Sequence, residues 1–147
     1  MKPTLQPGIT HTHTFRVTAA KTVPALYPEA ASFQAMPAVF ATGYLTGLLE
    51  WACVELLAPY LDEGEGSLGT MVNFTHDAAT PPGLTVTVEA RCTKVEGRSV
   101  EFEVSAHDGV DRIGGGSHRR AVVRWDRFVP RVAAKLEQAK AAGLVTE

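Results

Sequence analysis

The chain has 147 residues, of which 45% are hydrophobic and 20% charged, and its formal net charge is −2. This length fits one domain with a real core and leaves little room for a second. The composition excludes a disordered chain, and the near balance of charge excludes a global pull toward nucleic acid or an anionic membrane.

The opening segment, MKPTLQPGITHTH, contains no apolar signal core. Ile9 to Thr18 alternates and is rich in β-branched residues, which predicts a strand. His11 and His13 lie on one face of it. Two ligands with no supporting Cys, His or Asp spacing make no metal site, so they read as an exposed polar face. Residues 20–38 contain Pro24, Pro28 and Pro37 and predict an irregular segment. Its length suits a lid or binding element.

From Thr42 the chain predicts a helix that ends at Pro59. Tyr44, Leu45, Leu48, Leu49, Ala52 and Cys53 recur at helical spacing, and Trp51 and Val54 extend the apolar surface to the other side. A helix apolar nearly all round predicts a buried helix. Thr42, Thr46, Glu50, Glu55 and Pro59 interrupt Val39 to Leu61, which makes it a poor membrane span.

Four strands follow. Leu68 to Ala78 is the first, and TPPG at Thr80 to Gly83 is a turn. Leu84 to Thr93 alternates apolar and polar residues, a strand with one buried face. Glu96-Gly97 turns the chain, Val100 to Ala106 returns, and Asp108-Gly109 signals a hairpin. Val110 to Trp125 is the last strand. Gly114, Gly115 and Gly116 within it predict a bulge or a close backbone approach; no Gly-Lys-Ser/Thr element follows them, so they form no phosphate loop. Arg127 to Ala142 predicts a C-terminal surface helix. The order is strand, lid, one long helix and four consecutive antiparallel strands. It describes an α+β domain spanning residues 1–147, in which a sheet curls around one helix. Uncovered sheet edges make a homodimer the simple solution. Cys53 and Cys92 sit in apolar patterns and read as core thiols of a reducing compartment, which places the protein in the cytoplasm.

Three polar residues stand where chemistry is possible. Glu50 is a lone acid in an apolar helix. Either it pairs with a basic residue at the helix edge, or it faces a site, since Gly43, Thr46 and Gly47 leave space on its face. His76 is either a satisfied half-core histidine or a general base. Thr42 opens the helix as a cap, and a helix N-terminus also favours developing negative charge. Thr42 and Glu50 are eight residues apart, roughly 12 Å along the axis, so they cannot touch within one chain. A two-fold axis that sets Thr42 of one chain near Glu50 of its partner would bring them together. Arg119, Arg120, Arg124, Arg127 and Arg131 form either a solvated face or a phosphate-docking patch.

The blocks FQAMPAVFATGYLTGLLEWACVELLAPYL, GEGSLGTMVNFTHDAATPPGLTVTVEA and VSAHDGVDRIGGGSHRRAVV together resemble the fluoroacetyl-CoA thioesterase family over roughly Thr10 to Lys135. The resemblance implies a hot-dog fold, an antiparallel sheet wrapped around one long helix and paired as a dimer with sites at the interface. It also implies hydrolysis of a small acyl-CoA with no cofactor beyond the CoA of the substrate, and it carries a catalytic trio onto Thr42, Glu50 and His76. Gly69 and Arg120 match substrate-contacting positions, Gly69 through its backbone amide. In the lid, Met36 stands where the best-known member has an aromatic residue, with Phe33 close by. Glu50 would activate water or attack the thioester, helped by an apolar setting that raises a carboxylate's pKa. Two alternatives share the fold: an acyl-CoA hydratase or dehydratase, and a non-catalytic acyl-CoA binder.

Overall fold

Alternating apolar residues build the sheet, and the computed structural model describes residues 1–146 of the chain. Five strands, β1 (Thr10–Arg16), β2 (Glu65–His76), β3 (Thr85–Glu96), β4 (Ser99–His107) and β5 (Arg112–Arg124), form one antiparallel sheet in the order β1-β3-β4-β5-β2. Val86, Val88, Ala90 and Cys92 of β3 and Val100, Phe102, Val104 and Ala106 of β4 are buried on one face, as their period of two requires. Onto that face lies the long helix α3 (Thr42–Leu57), with α1 (Val23–Leu26) and α2 (Ala31–Gln34) as single turns before it and α4 (Trp125–Ala141) closing the chain. Leu45, Leu49 and Leu57 of α3 are almost fully buried, each contributing about 1.5–3 kcal/mol.

The helix is covered on one side only. Leu45, Leu48, Leu49, Ala52, Cys53 and Leu56 meet the sheet, while Trp51 is 45% exposed. The fully buried helix expected from composition is therefore half right: the sheet wraps one face, and the apolar residues on the other meet solvent within this chain. Pro59 does end the helix, in a 3-10 turn over Ala58–Tyr60. None of the residues of α4 is buried. Cys53 and Cys92 are buried free thiols, and burial pushes the Cys53 thiol up to about 12. Among the described residues no helix is long and apolar enough to cross a membrane.

Two glycine features position the site. Gly114 and Gly116 answer the sequence signal by close approach to β2, and beside Gly114 the register with β4 also shifts, leaving Ile113 as an extra residue. Their pairing with His76 and Phe74 is regular, and a Cβ at either would fall 2.2 Å from the Thr75 carbonyl oxygen or 2.0 Å from that of Asn73. The irregularity in this strand pair lies between Gly69 and Met71, which leaves Thr70 as the extra residue. Strand β2 also starts earlier than its apolar pattern suggests. Gly66 is tolerated there because the Trp125 indole lies where its Cβ would be, 1.9 Å from the ring.

Candidate active site

The uncovered face of α3 carries Thr42, Thr46 and Glu50 at intervals of four. Two polar clusters form along it. The first joins the helix N-terminus to the end of β2. Ala41 is the N-cap and has no side-chain oxygen to offer, so Thr42 is the first helical residue and not the cap. Its Oγ1 instead lies 2.7 Å from Nδ1 of His76. His76 Nε2 is buried and has no hydrogen-bond partner among the described residues, so that nitrogen is free for a group not present in the chain.

Backbone and side-chain ties fix this first cluster from both sides. The Phe40 amide donates to the Thr80 carbonyl at 2.8 Å, just ahead of Thr42. The Thr80 hydroxyl donates to Asp108 Oδ2 at 2.8 Å, with both side chains buried. Asp108 also accepts from the amides of Val110 and Asp111, which is the hairpin turn legible in Asp108-Gly109. Burial opposes its charge, but the Asp111 and Val110 amides and the Thr80 hydroxyl together hold the Asp108 carboxyl below its ordinary value. On the β2 side, Asp77 pairs with Arg112 at 2.8 Å and accepts from Thr75 at 3.0 Å.

The second cluster is built around a buried cation. Arg120 of β5 is only 5% exposed, and a buried guanidinium must be partnered. Its Nε donates to Ser67 Oγ at 2.8 Å and its Nη2 to the Ser67 carbonyl at 2.9 Å. Its Nη1 reaches Glu50 Oε2 at 3.2 Å and His118 Nε2 at 3.2 Å. Glu50 Oε2 is 3.8 Å from His118 Nε2. Gly69 closes the group: a Cβ there would be 2.8 Å from Glu50 Oε2. The Glu50 side chain is 44% exposed. The apolar enclosure expected around it is not supplied by its own chain, because its neighbours on the helix face are uncovered. Its pairing with a basic residue, the plainer of the two readings, holds.

The seven residues singled out thus fall into three places. Thr42 and His76 touch. Glu50, Arg120 and Gly69 form the second group, two helical turns along. Phe33 and Met36 stay in the lid, where Phe33 packs edge-on against Tyr27 at 5.5 Å and Met36 is 47% exposed. The lid reaches the helix through Leu26, whose methyl would lie 3.0 Å from a Cβ at Gly43. Two further expectations change. His11 and His13 do not form an exposed face: they are half-buried toward α3, and His13 packs on Trp51 with ring centroids 4.3 Å apart. The arginines form no single patch. Alternation sends Arg120 inward and Arg119 outward to Glu101 at 3.1 Å, while Arg124 pairs with Asp126 at 3.0 Å. Sequence reasoning passed over His118 and Ser67. The available signal was His118, Arg120 and Val122 in one alternating row, an imidazole and a guanidinium on the core side of a strand.

A family model described as fluoroacetyl-CoA-specific thioesterase matches residues 17–126. The fluoroacetyl-CoA thioesterase of Streptantibioticus cattleyicolor is 56% identical over 135 residues, which cover 92% of this chain and 97% of that protein. A solved structure of the fluoroacetyl-CoA thioesterase FlK matches with a TM-score of 0.87 at 56% identity, covering 89% of this chain and 97% of the other. A mutant of that enzyme, solved in complex with fluoroacetate and CoA, matches with a TM-score of 0.83 at 57% identity over 84% of this chain and 99% of the other. The sheet wrapped around one long helix is the hot-dog arrangement that the sequence resemblance implies.

Proposed function

The chain belongs to the fluoroacetyl-CoA-specific thioesterase family, and from that premise we propose that it hydrolyses fluoroacetyl-CoA, or a similarly small acyl-CoA, to the free acid and CoA. The observation that carries this reading is the helix face itself. A hydroxyl-imidazole pair, Thr42 with His76, and a carboxylate-guanidinium pair, Glu50 with Arg120, open onto one uncovered surface.

Each group has a part in the chemistry. Glu50 supplies the base or nucleophile for the thioester carbonyl, and Arg120 orients it and holds the substrate. The Gly69 amide, approachable because no side chain covers it, donates to the developing oxyanion. Thr42 fixes the His76 ring, and the partnerless Nε2 of His76 passes the proton. Phe33 and Met36 form the apolar lid over the acyl group. The CoA belongs to the substrate, and no further cofactor takes part.

The working form is a homodimer with the sites at its interface. Supporting this, β2 is a twelve-residue edge strand with one side unpaired, and the α3 face beside it is uncovered. Pairing across that edge would enclose Glu50 and set Thr42 of one chain beside Glu50 of its partner. The cytoplasm is the fitting compartment for a protein with two buried free thiols.

The test is free-thiol release by the purified protein on fluoroacetyl-CoA, acetyl-CoA and larger acyl-CoAs, with Glu50→Gln alongside. Release from a small acyl thioester, reduced ~100-fold or more in Glu50→Gln, is the expected result. Product formation without free thiol would make the protein a hydratase, and persistent binding without turnover would make it a binder. Mixing Thr42→Ala with Glu50→Gln is expected to restore part of the activity through one intact composite site. No recovery would remove the interface site.

A further inference from the structure

His118 is buried without exposure to solvent, and the reaction outlined above does not use it. Its surroundings leave its chemistry little freedom. Nδ1 lies 2.8 Å from the Met71 carbonyl oxygen. A carbonyl only accepts, so Nδ1 carries the hydrogen. Nε2 lies 3.2 Å from Nη1 of Arg120. A guanidinium only donates, so Nε2 must present its lone pair. The ring is therefore neutral, in the Nδ1–H form: the Met71 carbonyl sets Nδ1 and the Arg120 guanidinium sets Nε2, with the Glu50 carboxylate beyond hydrogen-bond reach of Nε2 at 3.8 Å. Phe74 and Phe102, with ring centroids at 5.8 and 6.3 Å, hold its plane. Burial, first among the causes, pushes its pKa down, and Arg120 adds to this while Glu50 and the Met71 carbonyl oppose it.

The nitrogen of Arg120 that donates to His118 is the same one that meets Glu50. Its Nε and Nη2 each donate to Ser67. Thus Nη1 is shared between one imidazole and one carboxylate, and where the imidazole stands decides where the carboxylate is met. Met71 is the first paired residue after the irregularity at Thr70, so the chain of contacts runs from that point of β2 through the ring to the acid.

We propose that His118 is a positioning residue for this site, linking the β2 main chain to the Arg120 guanidinium and so fixing the place of the Glu50 carboxylate. The proposal rests on the reading of Glu50 as the reacting group.

Two variants separate the two contacts. The side-chain amide of His118→Gln reaches the place of Nε2 and keeps an acceptor for Arg120. That of His118→Asn reaches the place of Nδ1, keeps the Met71 contact and abandons Arg120. Thiol release is measured for both with Glu50→Gln as reference, along with melting temperature and the nitrogen NMR signature of ring-labelled wild-type protein. His118→Asn is expected to lose ~10- to 100-fold in kcat with KM little changed, while His118→Gln recovers most of that loss. The wild-type ring is expected to show the neutral Nδ1–H signature at pH 7. An Nε2–H or charged ring overturns the proposal, as does a folded His118→Gln that is no better than Glu50→Gln. Equal loss in both variants that follows their melting temperatures reduces His118 to core filling. Should His118→Asn fail to fold, the tautomer and the Gln variant decide. Full activity of Glu50→Gln would sink the reading of the site, and is a separate result from a harmless His118→Asn beside a dead Glu50→Gln.

Discussion

Replacing Gly69 by alanine asks how tightly the second cluster is built. The added methyl would fall 2.8 Å from Glu50 Oε2, 3.3 Å from His118 Cε1 and 3.5 Å from Arg120 Nη1. The three neighbours do not yield equally. The imidazole is buried between aromatic rings and the guanidinium is held by Ser67, whereas the Glu50 carboxylate ends a flexible side chain that is 44% exposed. The acid is therefore what moves, by roughly half an ångström to restore van der Waals contact. Its pair with Arg120 is stretched from 3.2 Å. A misplacement of 1 Å costs about 100-fold in rate, so half of that sets the expectation near ~10-fold in kcat. Gly69 has no positive φ, so alanine is compatible with the backbone and the cost in stability stays within about 1 kcal/mol, or ~2–4 °C in Tm. Steady-state thiol release and thermal melting measure the two effects on one preparation. A Gly69→Ala protein with unchanged kcat would refute the claim that Glu50 is placed by this contact. A large fall in Tm with kcat lost in proportion would show that the methyl displaced the sheet instead.

Other expectations follow from the same geometry. Gly114→Ala puts a methyl 2.2 Å from the Thr75 carbonyl oxygen, where only backbone can yield; denaturant unfolding should show a loss of more than ~3 kcal/mol, and a loss under 1 kcal/mol would contradict the close approach of β2 and β5. His118 has a folded pKa below its ordinary 6.5, so below pH 6.5 the unfolded chain takes up a proton that the folded chain refuses, and stability falls as the pH drops through that window toward the folded value. His118→Gln should flatten that part of the Tm-against-pH curve, and an unchanged slope would contradict a buried neutral ring. Asp108 behaves likewise lower down: its folded value lies under the ordinary 3.8, so its contribution is intact above pH 3.8 and is lost on further acidification. Asp108→Asn should remove that acid-side slope and also lower Tm at neutral pH.

Much of this protein is legible along the chain because strand and helix periods are local. Residues 84–93 and 100–106 alternate so regularly that their buried faces can be assigned by eye, and both assignments hold. Asp108-Gly109 and Pro59 announce the turn and the helix end that occur. The three long blocks carry the family, and with it the fold. The clearest misreadings come from composition taken without partners. Trp51 and Glu50 looked buried because their helix is apolar all round, yet the sheet covers one face. His13 looked exposed because it is polar, yet it lies on Trp51.

By itself the sequence determined the element order, the strand faces, and the helix spacing that keeps Thr42 and Glu50 two turns apart, since each depends only on neighbours within a few residues. Tertiary structure alone decided which groups meet. Thr42 and His76 are 34 residues apart in the chain, and Glu50 finds Arg120 only because the pairing of β2 with β5 places Arg120 opposite Gly69 and leaves no side chain between them and the helix. Hydrogen bonds and charge pairs act over about 3 Å, a distance that the fold sets and that linear spacing does not express.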